Sequence, residues 1–318
     1  MTYALYCIAR MRLLLVVGLS ATASLFSQVK FQPDVVAVNI DGKPFTMFHY
    51  GSDAGKPYLA PIWSASGKIV TRRFPMEEIE GESRDHLHHR GLWFSCDEVN
   101  SISFWTNELS YTRKDMGRIV VRDARWKDGD HSGTLTAAME WRGPDGRVML
   151  IENRDMTFYS DPKTRTIDFH ITLTAQEDLT FGDTHEGFFA IRLADQFKEV
   201  QGGKSINAEG QINMENIWGK RSNWVDYTTL INGERLGVAI FDHPENPRHP
   251  AHWHARDYGL FALSPFGAQK AFDTEEKETP FKLPKGQKAT FRFRVIIHPG
   301  DAQTGNVAEL YNQYAKTH

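Results

Sequence analysis

The chain has 318 residues, of which 41% are hydrophobic and 24% are charged, with 25 glycines, 14 prolines and 2 cysteines. These proportions are typical of a globular protein and exclude a disordered, collagen-like or disulfide-built chain. The 37 lysines and arginines against 40 aspartates and glutamates give a net charge of −3, and no basic block of five or more residues occurs. We therefore expect no nucleic-acid partner, and a neutral or small ligand instead.

The N-terminal segment has the composition of a secretory signal peptide. Arg10 and Arg12 precede an apolar run over residues 13–19, and small residues follow it. Because this run is too short to cross a bilayer, it predicts export rather than a membrane anchor. We assign residues 1–23 to the signal, with Met11 as an alternative start and cleavage after Ala23 or Ser27. The expected location is the periplasm or the extracellular space, without membrane contact after the signal is removed.

The rest of the sequence has the hydrophobic pattern of strands. Apolar and polar residues alternate over residues 167–173 and 291–297, and segments of similar character cover 135–141, 147–151 and 187–193. Alternation with a period of two is typical of half-buried strands. The segments between them are rich in glycine, proline and aspartate, which favour turns.

These patterns predict an all-β protein. We expect one large antiparallel β-sandwich domain over residues 24–318, because the sequence contains neither a flexible linker nor a repeat of 20–50 residues. A β-propeller is the alternative architecture. The tail is the exception to the strand pattern, since apolar residues at helical spacing predict a C-terminal helix over residues 306–315.

Eight of the 13 histidines lie in three short segments, and this clustering is the main functional signal. In the first segment, residues 84–93, a strand would place His86, His88 and Arg90 on one face and His89 on the other. In the second segment, residues 182–188, Asp183 and His185 would share a face. Each of these two segments therefore groups protonatable side chains at one place.

The third segment, residues 242–259, contains three prolines at intervals of three. Since proline fixes its own backbone angle and cannot donate to a strand ladder, we expect a stiff segment outside the sheet. Its predicted role is to deliver His252 and His254 to a fixed place.

Three interpretations of these clusters remain open. Histidines and carboxylates can act as general acid and base on a sugar, while arginine holds an oxygen and tryptophan rings stack on the sugar. Two His-x-His pairs with a carboxylate can instead bind zinc or another transition metal. In the third interpretation the histidines are ordinary polar groups at sheet ends and the tryptophans belong to the core. The joint occurrence of arginine, aspartate, histidine and tryptophan in three segments favours a functional site.

Two motifs carry a resemblance to a known family. Asp-His-x-His-His-Arg-Gly at residues 85–91 and Asn-Pro-Arg-His-Pro at residues 246–250, together with residues 221–227, resemble the bacterial family labelled methane oxygenase PmoA-like. The resemblance covers residues 31–299 and implies an association with sugar degradation. It does not imply methane oxidation, because the membrane subunit of methane monooxygenase spans the bilayer several times and this chain has no spanning segment after its signal.

The resemblance also implies a galactose mutarotase-like supersandwich. Leu87-His88 is similar to the start of a Leu-His-Gly-Gly motif at a mutarotase site, and His185 is similar to the second histidine of that site. His89 and Arg90 replace the first glycine of the motif, so mutarotation itself is not implied. A sugar-sized cleft on one face of the sandwich is the expectation that remains.

We therefore predict a carbohydrate-active enzyme of hydrolase, lyase or epimerase type that acts on a carbohydrate or another small molecule. A non-catalytic carbohydrate-binding protein and a metal-binding protein are the alternatives. The candidate catalytic residues are His88, His185, Glu186 and Asp226. The candidate substrate-binding residues are His86, Arg90, Trp93, Asp183, Trp224, Trp253, His254 and Arg256. The candidate metal ligands are His86, His88, His252 and His254.

Each group of candidates has an expected role. His88 and His185 would form the proton-transfer pair, and Glu186 or Asp226 would orient a histidine or act as the base. Arginine side chains would hold an oxygen or a carboxylate of the sugar. No cofactor is required by the sequence, and a divalent metal is compatible with it. The oligomeric state is left open.

Overall fold

A computed structural model describes residues 27–275 and 280–317. The expected signal peptide at residues 1–23 lies outside the described residues. Strands dominate what is described, and no helix within these ranges is long and apolar enough to cross a bilayer.

Eighteen strands and three short helices follow one another along the described chain. The strands are β1 (Ser27–Gln32), β2 (Val35–Ile40), β3 (Lys43–His49), β4 (Tyr58–Ile62), β5 (Leu92–Cys96), β6 (Arg118–Gly129), β7 (Ser132–Arg142), β8 (Val148–Tyr159), β9 (Arg165–Ala175), β10 (Leu179–Phe181), β11 (Gly187–Arg192), β12 (Lys204–Asn207), β13 (Trp224–Ile231), β14 (Glu234–Asp242), β15 (His252–Ala255), β16 (Leu260–Ser264), β17 (Phe281–Leu283) and β18 (Lys288–Pro299). The helices are α1 (Met214–Ile217), α2 (Gln269–Phe272) and α3 (Val307–Tyr314).

The strands form two large antiparallel sheets. The first sheet has the order β1-β2-β3-β4-β5-β11-β16-β15, and the second has the order β12-β13-β14-β18-β9-β8-β7-β6. β10 and β17 form a separate pair. Neighbours in the second sheet pair over long registers, such as the ten residue pairs that join β9 and β18.

The two sheets pack face to face around one hydrophobic core. Apolar residues of both sheets belong to the same buried cluster, for example Phe94 and Phe189 of the first and Phe291 and Phe293 of the second. Phe189 and Phe293 stack across the interface with ring centroids 4.5 Å apart. The all-β sandwich with a C-terminal helix is therefore confirmed, and the β-propeller alternative is wrong.

The predicted strands and the predicted tail helix are present close to their expected bounds. The residues 187–193 segment becomes β11, a central strand of the first sheet, and the tail forms α3. α3 packs on the outer face of the second sheet, where Val307, Tyr311 and Tyr314 contact Trp224 and Phe241. This packing explains the apolar stripe of the helix, since its buried face covers part of the sheet.

Two local predictions about the histidine segments are wrong. Residues 84–91 form an irregular loop rather than a strand, and His86 has a positive φ of 46°. The prolines of the third segment lie in turns, but His252 and His254 themselves belong to β15 and pair with β16. The first segment is therefore a loop where a strand was expected. The end of the third segment is a strand where an irregular segment was expected.

Candidate functional site

The outer face of the first sheet carries a row of side chains that runs across five strands. Tyr58, Trp93, Ala190, Ala262 and His254 are successive partners in the register of β4, β5, β11, β16 and β15. Two methyl groups lie in the middle of this row, between a tryptophan on one side and a histidine on the other. The row, which we call the floor, is therefore low at its centre.

The loop of residues 84–91 is held above the floor by two fully buried arginines. The Arg72 guanidinium donates to the backbone oxygen and to Oδ1 of Asp85, both at 2.7 Å, and to the backbone oxygens of His86 and His89. Arg192 donates to Asp85 Oδ1 at 2.8 Å. Because a buried guanidinium requires acceptors around it, the loop wraps its carbonyl groups and Asp85 around both arginines.

Asp85 is the shared acceptor of this arrangement. Burial acts to raise the pKa of Asp85, but the hydrogen bond with His86 and the charges of Arg192 and Arg72 outweigh it and hold the pKa well below its usual range. The carboxylate therefore stays ionised and keeps the loop attached to both cations.

Four aromatic rings form a stack at the edge of the site. His89 stacks on Trp93 of the floor at 5.3 Å, His86 stacks on His89 at 4.6 Å, and Tyr258 stacks on His86 at 5.4 Å. The Arg192 guanidinium lies 4.5 Å from the centre of the Tyr258 ring. These contacts fix the orientation of the imidazole of His89.

Five protonatable side chains converge next to this stack. One ring nitrogen each from His88 and His89 and one carboxylate oxygen of Glu186 lie within 4.8 Å of one another, and the same holds for His185, Glu186 and His254. Glu186 belongs to both groups, so its carboxylate lies between two pairs of imidazoles. We call these five residues the histidine–glutamate cluster.

Three buried atoms of the cluster have no hydrogen-bond partner among residues 27–275 and 280–317: His88 Nε2, His89 Nε2 and Glu186 Oε2. Leaving a buried polar atom unpaired costs about 1–3 kcal/mol. Such atoms gathered at one place indicate a position where a ligand supplies the missing partners.

The imidazoles of the cluster differ in protonation. Burial lowers the pKa of His88 to about 2, and the charge of Lys56 acts in the same direction. Burial likewise lowers the pKa values of His89 and His254 well below the usual range. In His185, by contrast, the hydrogen bond with Glu186 raises the pKa against the opposing effect of burial. His185 is therefore the histidine of the cluster that can carry a proton near neutral pH.

The tautomers of two neutral rings are fixed by donors behind them. Arg192 Nη1 lies 3.3 Å from Nδ1 of His89, and the Trp218 indole N–H donates to Nδ1 of His254 at 3.2 Å. Arginine and tryptophan can only donate hydrogen bonds, so each neutral imidazole accepts at Nδ1 and carries its proton at Nε2. His89 and His254 are thereby N–H donors.

The donor chemistry of the cluster does not suit a metal ion. Within residues 27–275 and 280–317, the two groups defined above are the sets of three such side chains that lie close enough to share an ion. A metal binds the unprotonated nitrogen of imidazole, so His89 and His254 would each have to give up the hydrogen bond at Nδ1 before Nε2 could coordinate. The predicted ligands His86 and His252 belong to neither group, and His252 Nδ1 is 2.7 Å from the Gly267 carbonyl oxygen.

The family model that matches this chain covers residues 35–312, which includes all of the cluster. Its description is "Family of unknown function (DUF6807)". The chain belongs to the DUF6807 family. The PmoA-like label that the motifs resemble gains no support from this match, and no curated protein matches the sequence.

Solved structures similar to this DUF6807 chain come from sugar-related proteins of low identity. An alpha-galactosidase from Geobacillus stearothermophilus has a TM-score of 0.45 and 8% identity over 86% of this chain and 40% of its own. A galactose mutarotase-like protein from Clostridium acetobutylicum has a TM-score of 0.40 and 6% identity, with 86% of this chain and 99% of its own covered. A galactose mutarotase related enzyme from Lactobacillus acidophilus has a TM-score of 0.35 and 8% identity, with 87% and 98% covered.

The chain spans about two fifths of the length of the alpha-galactosidases that it matches. All three likenesses have TM-scores below 0.5, so the fold class rests on the strand order and packing of the chain itself. Its chemistry rests on the residues of the cluster.

Three sequence predictions for the site are wrong in this DUF6807 member because the residues belong to other parts of the sandwich. Asp226 lies in the second sheet, where its two oxygens accept from His298 and Thr228. Trp224 is buried beneath α3, and Trp253 lies in the core between the sheets. The two tryptophans therefore offer no platform for a sugar, which removes the observation on which a pure binding module depended.

Two further candidates, Arg90 and Asp183, already make hydrogen bonds with other groups of the protein. Arg90 donates to both oxygens of Glu108 at 2.7 Å, so it is not free to hold a substrate oxygen. The carboxylate of Asp183 accepts from the backbone N–H groups of residues 268, 270 and 271 and so fixes the start of α2 beside His185. Both residues shape the site without facing a ligand.

The remaining candidates lie at or next to the cluster. His88, His185, Glu186 and His254 are members of it, while His86 and Trp93 belong to the adjoining ring stack. Arg256 lies 5.5 Å from the Tyr258 ring centre, and its buried Nε has no partner.

Sequence reasoning missed the residues that position the cluster. His89 was assigned to the wrong face because the segment was read as a strand, although the residue stands within the motif. Arg72 and Trp218 carry no local signal, since each acts across the fold on a loop or strand distant in sequence. Arg192 also acts at a distance, but it is the one arginine of the otherwise apolar β11, and a buried strand-end arginine requires buried acceptors.

Proposed function

We propose that this protein is a carbohydrate-active enzyme that transfers a proton at a sugar carbon, in an epimerisation or elimination. The observation that carries the proposal is Glu186 Oε2, a buried carboxylate oxygen without a partner, with histidines on both sides. A carboxylate oxygen without a hydrogen-bond partner can accept a proton from a bound substrate and so act as a general base.

The roles within the cluster follow from protonation. Glu186 is the base, and His185, whose Nε2 lies 3.5 Å from Glu186 Oε1, is the acid that donates a proton. His88 does not serve as the acid, because burial lowers its pKa to about 2. The predicted pair of His88 and His185 is thus replaced by Glu186 and His185.

Hydrolysis is the less suitable reaction. Glycoside hydrolases generally use two carboxyl groups across the bond that is cut. Near the cluster, Asp85 and Glu108 are bound to arginines, and Asp183 accepts from three backbone N–H groups. Among these four carboxylates, Glu186 is the one with an unpaired buried oxygen.

A sugar fits the surroundings of the cluster. The partly buried ring of Tyr258 stacks on His86 beside the polar groups of the cluster, a combination that binds rings carrying hydroxyl groups. A cleft of about 630 Å³ adjoins the cluster at one residue, since Tyr111 lines the cleft and its hydroxyl is 3.2 Å from His88 Nδ1. The five residues of the cluster do not themselves line this cleft, so the proposed ligand position rests on their unpaired atoms. The motif similarity to a family associated with sugar degradation agrees with this ligand class.

The test is deuterium incorporation, which needs no knowledge of the product. A panel of monosaccharides, uronates and oxidised sugars is incubated with the enzyme in D₂O, and loss of C–H signals is followed by proton NMR. We expect exchange in at least one sugar, and Glu186→Gln to slow it by about 10²–10⁴-fold. Asp123→Asn is the matched control, since it makes the same carboxylate-to-amide change in an exposed ion pair with Arg125, and its exchange rate should stay within threefold. Unchanged exchange in Glu186→Gln would refute the proposal.

We further propose that the protein acts in the periplasm or outside the cell. The arginines, apolar run and small residues of positions 10–24 support this location. N-terminal sequencing of protein from a fractionated culture tests it, with a new terminus at residue 24 or 28 in the exported fraction expected. Full-length protein confined to the cytoplasm would contradict it.

A further inference from the structure

We infer that the substrate presents a carbonyl oxygen to the N–H groups of His89 and His254, so that the substrate class is a keto or aldehydo sugar. The inference rests on the proton-transfer function proposed above and specifies the group that makes the transferred proton acidic. It comes from the orientation of the two imidazoles and from the surplus of donors around Glu186.

The first support is the pair of fixed tautomers. Arg192 behind His89 and Trp218 behind His254 can only donate, so the protons of both rings are on Nε2. Both histidines lie within 4.8 Å of the Glu186 carboxylate through one ring nitrogen each. Among the described residues His89 Nε2 has no hydrogen-bond partner, so its proton is available to a ligand atom beside the carboxylate.

The second support is the balance of unpaired groups. Buried nitrogen atoms without a partner around the site include Trp93 Nε1, Trp105 Nε1 and Arg256 Nε, in addition to His89 Nε2. All four carry protons, Glu186 Oε2 is an acceptor, and His88 Nε2, which is also unpaired, takes either role according to its tautomer. A ligand that satisfies this set must offer acceptors mainly, together with one acidic hydrogen for the carboxylate.

The third support separates a carbonyl from a carboxylate ligand. Neutral N–H groups beside the carboxylate of Glu186 suit a neutral carbonyl oxygen better than a second carboxylate, because two carboxylates placed together repel one another. A carbonyl oxygen is neutral on binding and becomes negative only during the reaction. Neutral imidazole donors stabilise such an oxygen without requiring a counter-charge in the resting enzyme.

The chemical step balances with the groups present. Glu186 takes a proton from the carbon next to the carbonyl, the C–H bond breaks, and its electron pair moves onto the carbonyl oxygen as an enolate. The N–H groups of His89 and His254 hold that oxygen. His185, which lies 3.5 Å from Glu186, protonates a substituent that leaves from the next carbon, and this gives the elimination product. Reprotonation of the first carbon on its other face, by solvent water, gives the epimer.

The first arm of the test measures the tautomers directly. Long-range ¹H–¹⁵N spectra of ¹⁵N-histidine-labelled protein should show His89 and His254 neutral, with the proton on Nε2, between pH 6 and 8. Trp218→Phe removes the indole donor while keeping an aromatic ring, so His254 should become a mixture of tautomers. Trp126→Phe is the control, because it removes an indole hydrogen bond to Asp128 at the surface and leaves both rings unchanged. A proton on Nδ1 of either ring, with or without added zinc, would overturn the inference.

The second arm measures ligand preference with defined probes. D-Glucono- and D-galactono-1,5-lactam carry a stable carbonyl group, and 1,5-anhydro-D-glucitol and 1,5-anhydro-D-galactitol have the same rings without it. We expect a lactam to bind at least tenfold more tightly than its anhydro partner, and Trp218→Phe to reduce lactam binding about five- to tenfold. The anhydro sugars should not change. Equal binding within each pair, or no binding of any probe, would overturn the carbonyl assignment.

The two proposals fail in different ways. Deuterium exchange that persists in Glu186→Gln while the lactam preference holds would refute the base and keep the carbonyl site. Exchange abolished in Glu186→Gln, without a lactam preference, would keep the base and refute the carbonyl site.

Discussion

The outer faces of the two sheets contain similar residues and use them differently. On the first sheet, His89, His254 and Glu186 converge with unpaired atoms at the centre. On the second sheet, Asp226 and His298 are fully buried, yet each of their side-chain nitrogen and oxygen atoms has a partner. Residue type alone therefore does not distinguish a reactive centre from a structural ion pair, whereas the absence of partners does.

The same contrast holds for the tryptophans. Trp224 of the second sheet is covered by α3, and its ring contributes to packing. Trp93 of the first sheet supports His89, and its indole nitrogen is buried without a partner. The helix α3 covers part of the outer face of the second sheet, whereas the outer face of the first sheet has buried polar atoms to which a ligand can bind.

The largest expected effect comes from breaking the structural pair. Asp226→Ala leaves the buried His298 without its carboxylate, so the free energy of unfolding should fall by about 3–5 kcal/mol in urea denaturation. Asp123→Ala, which breaks an exposed pair with Arg125, is the control and should cost less than about 1 kcal/mol. The exchange rate of the folded fraction should not change. A stable variant that lost activity would restore Asp226 as a catalytic residue.

The same pair gives stability a pH dependence of known sign. Burial acts to lower the pKa of His298, but the hydrogen bond and charge of Asp226 outweigh it and raise the pKa. The contribution of the pair is therefore complete below the unfolded value of about 6.5 and is lost as pH rises through the folded pKa. Urea titrations of the wild type and of His298→Gln should converge at alkaline pH, and parallel curves across this range would contradict the assignment.

A smaller loss is expected where the site depends on a buried arginine. Arg192→Lys keeps the charge but removes the hydrogen bonds to Asp85 and His89, since an ammonium group cannot reach both. We expect a fall of about 2 kcal/mol in the free energy of unfolding. His89 should then lose its fixed tautomer in ¹⁵N spectra, while Arg125→Lys at the surface changes neither property. A retained Nε2 proton in Arg192→Lys would show that another contact orients His89.

The tryptophan contrast predicts a change of about 1 kcal/mol. Trp224→Phe removes part of the packing under α3, and chemical denaturation should register this loss without a change in sugar binding. Trp93→Phe should instead weaken binding of the lactam probes, because the floor and the support of His89 change. Weaker binding in Trp224→Phe would return this residue to the ligand site.

The smallest effect concerns the acid of the cluster. The hydrogen bond with Glu186 raises the pKa of His185, and the charge of Arg256 opposes it, while His254 is neutral. Exchange that requires protonated His185 should therefore decrease as pH rises through the raised pKa. His185→Gln should flatten this limb of the pH–rate profile, and an unaltered limb would assign it to another group.

The sequence was sufficient for the fold because alternation reports burial locally. The period-two pattern of residues 291–297 reflects one side of β18 packing on the core, and no distant residue is needed to read it. Glu186 and His185 could be predicted because they lie, together with Asp183, in a short segment of ionisable residues that directly precedes an apolar strand.

The wrong predictions all concern partners that are distant in the chain. Residues 84–91 alternate like a strand, but Arg72 binds their carbonyl groups and Arg192 binds the carboxylate of Asp85, so the segment forms a loop. The sequence identifies Asp226 as a carboxylate but does not identify its partner, because His298 lies two strands away in the sheet order. Local patterns contain no information about which buried charges meet, because that is decided by the assembly of the sheets.

The two alanines of the floor separate the size of the site from its chemistry. Ala190 and Ala262 face each other in the register of β11 and β16, and neither bears a group that moves a proton. Both are fully buried in one packed cluster with Trp93 and Trp105, against which Tyr258 packs. A valine at either position would therefore push the overlying rings away from the sheet, while the histidine segments would keep their chemical groups.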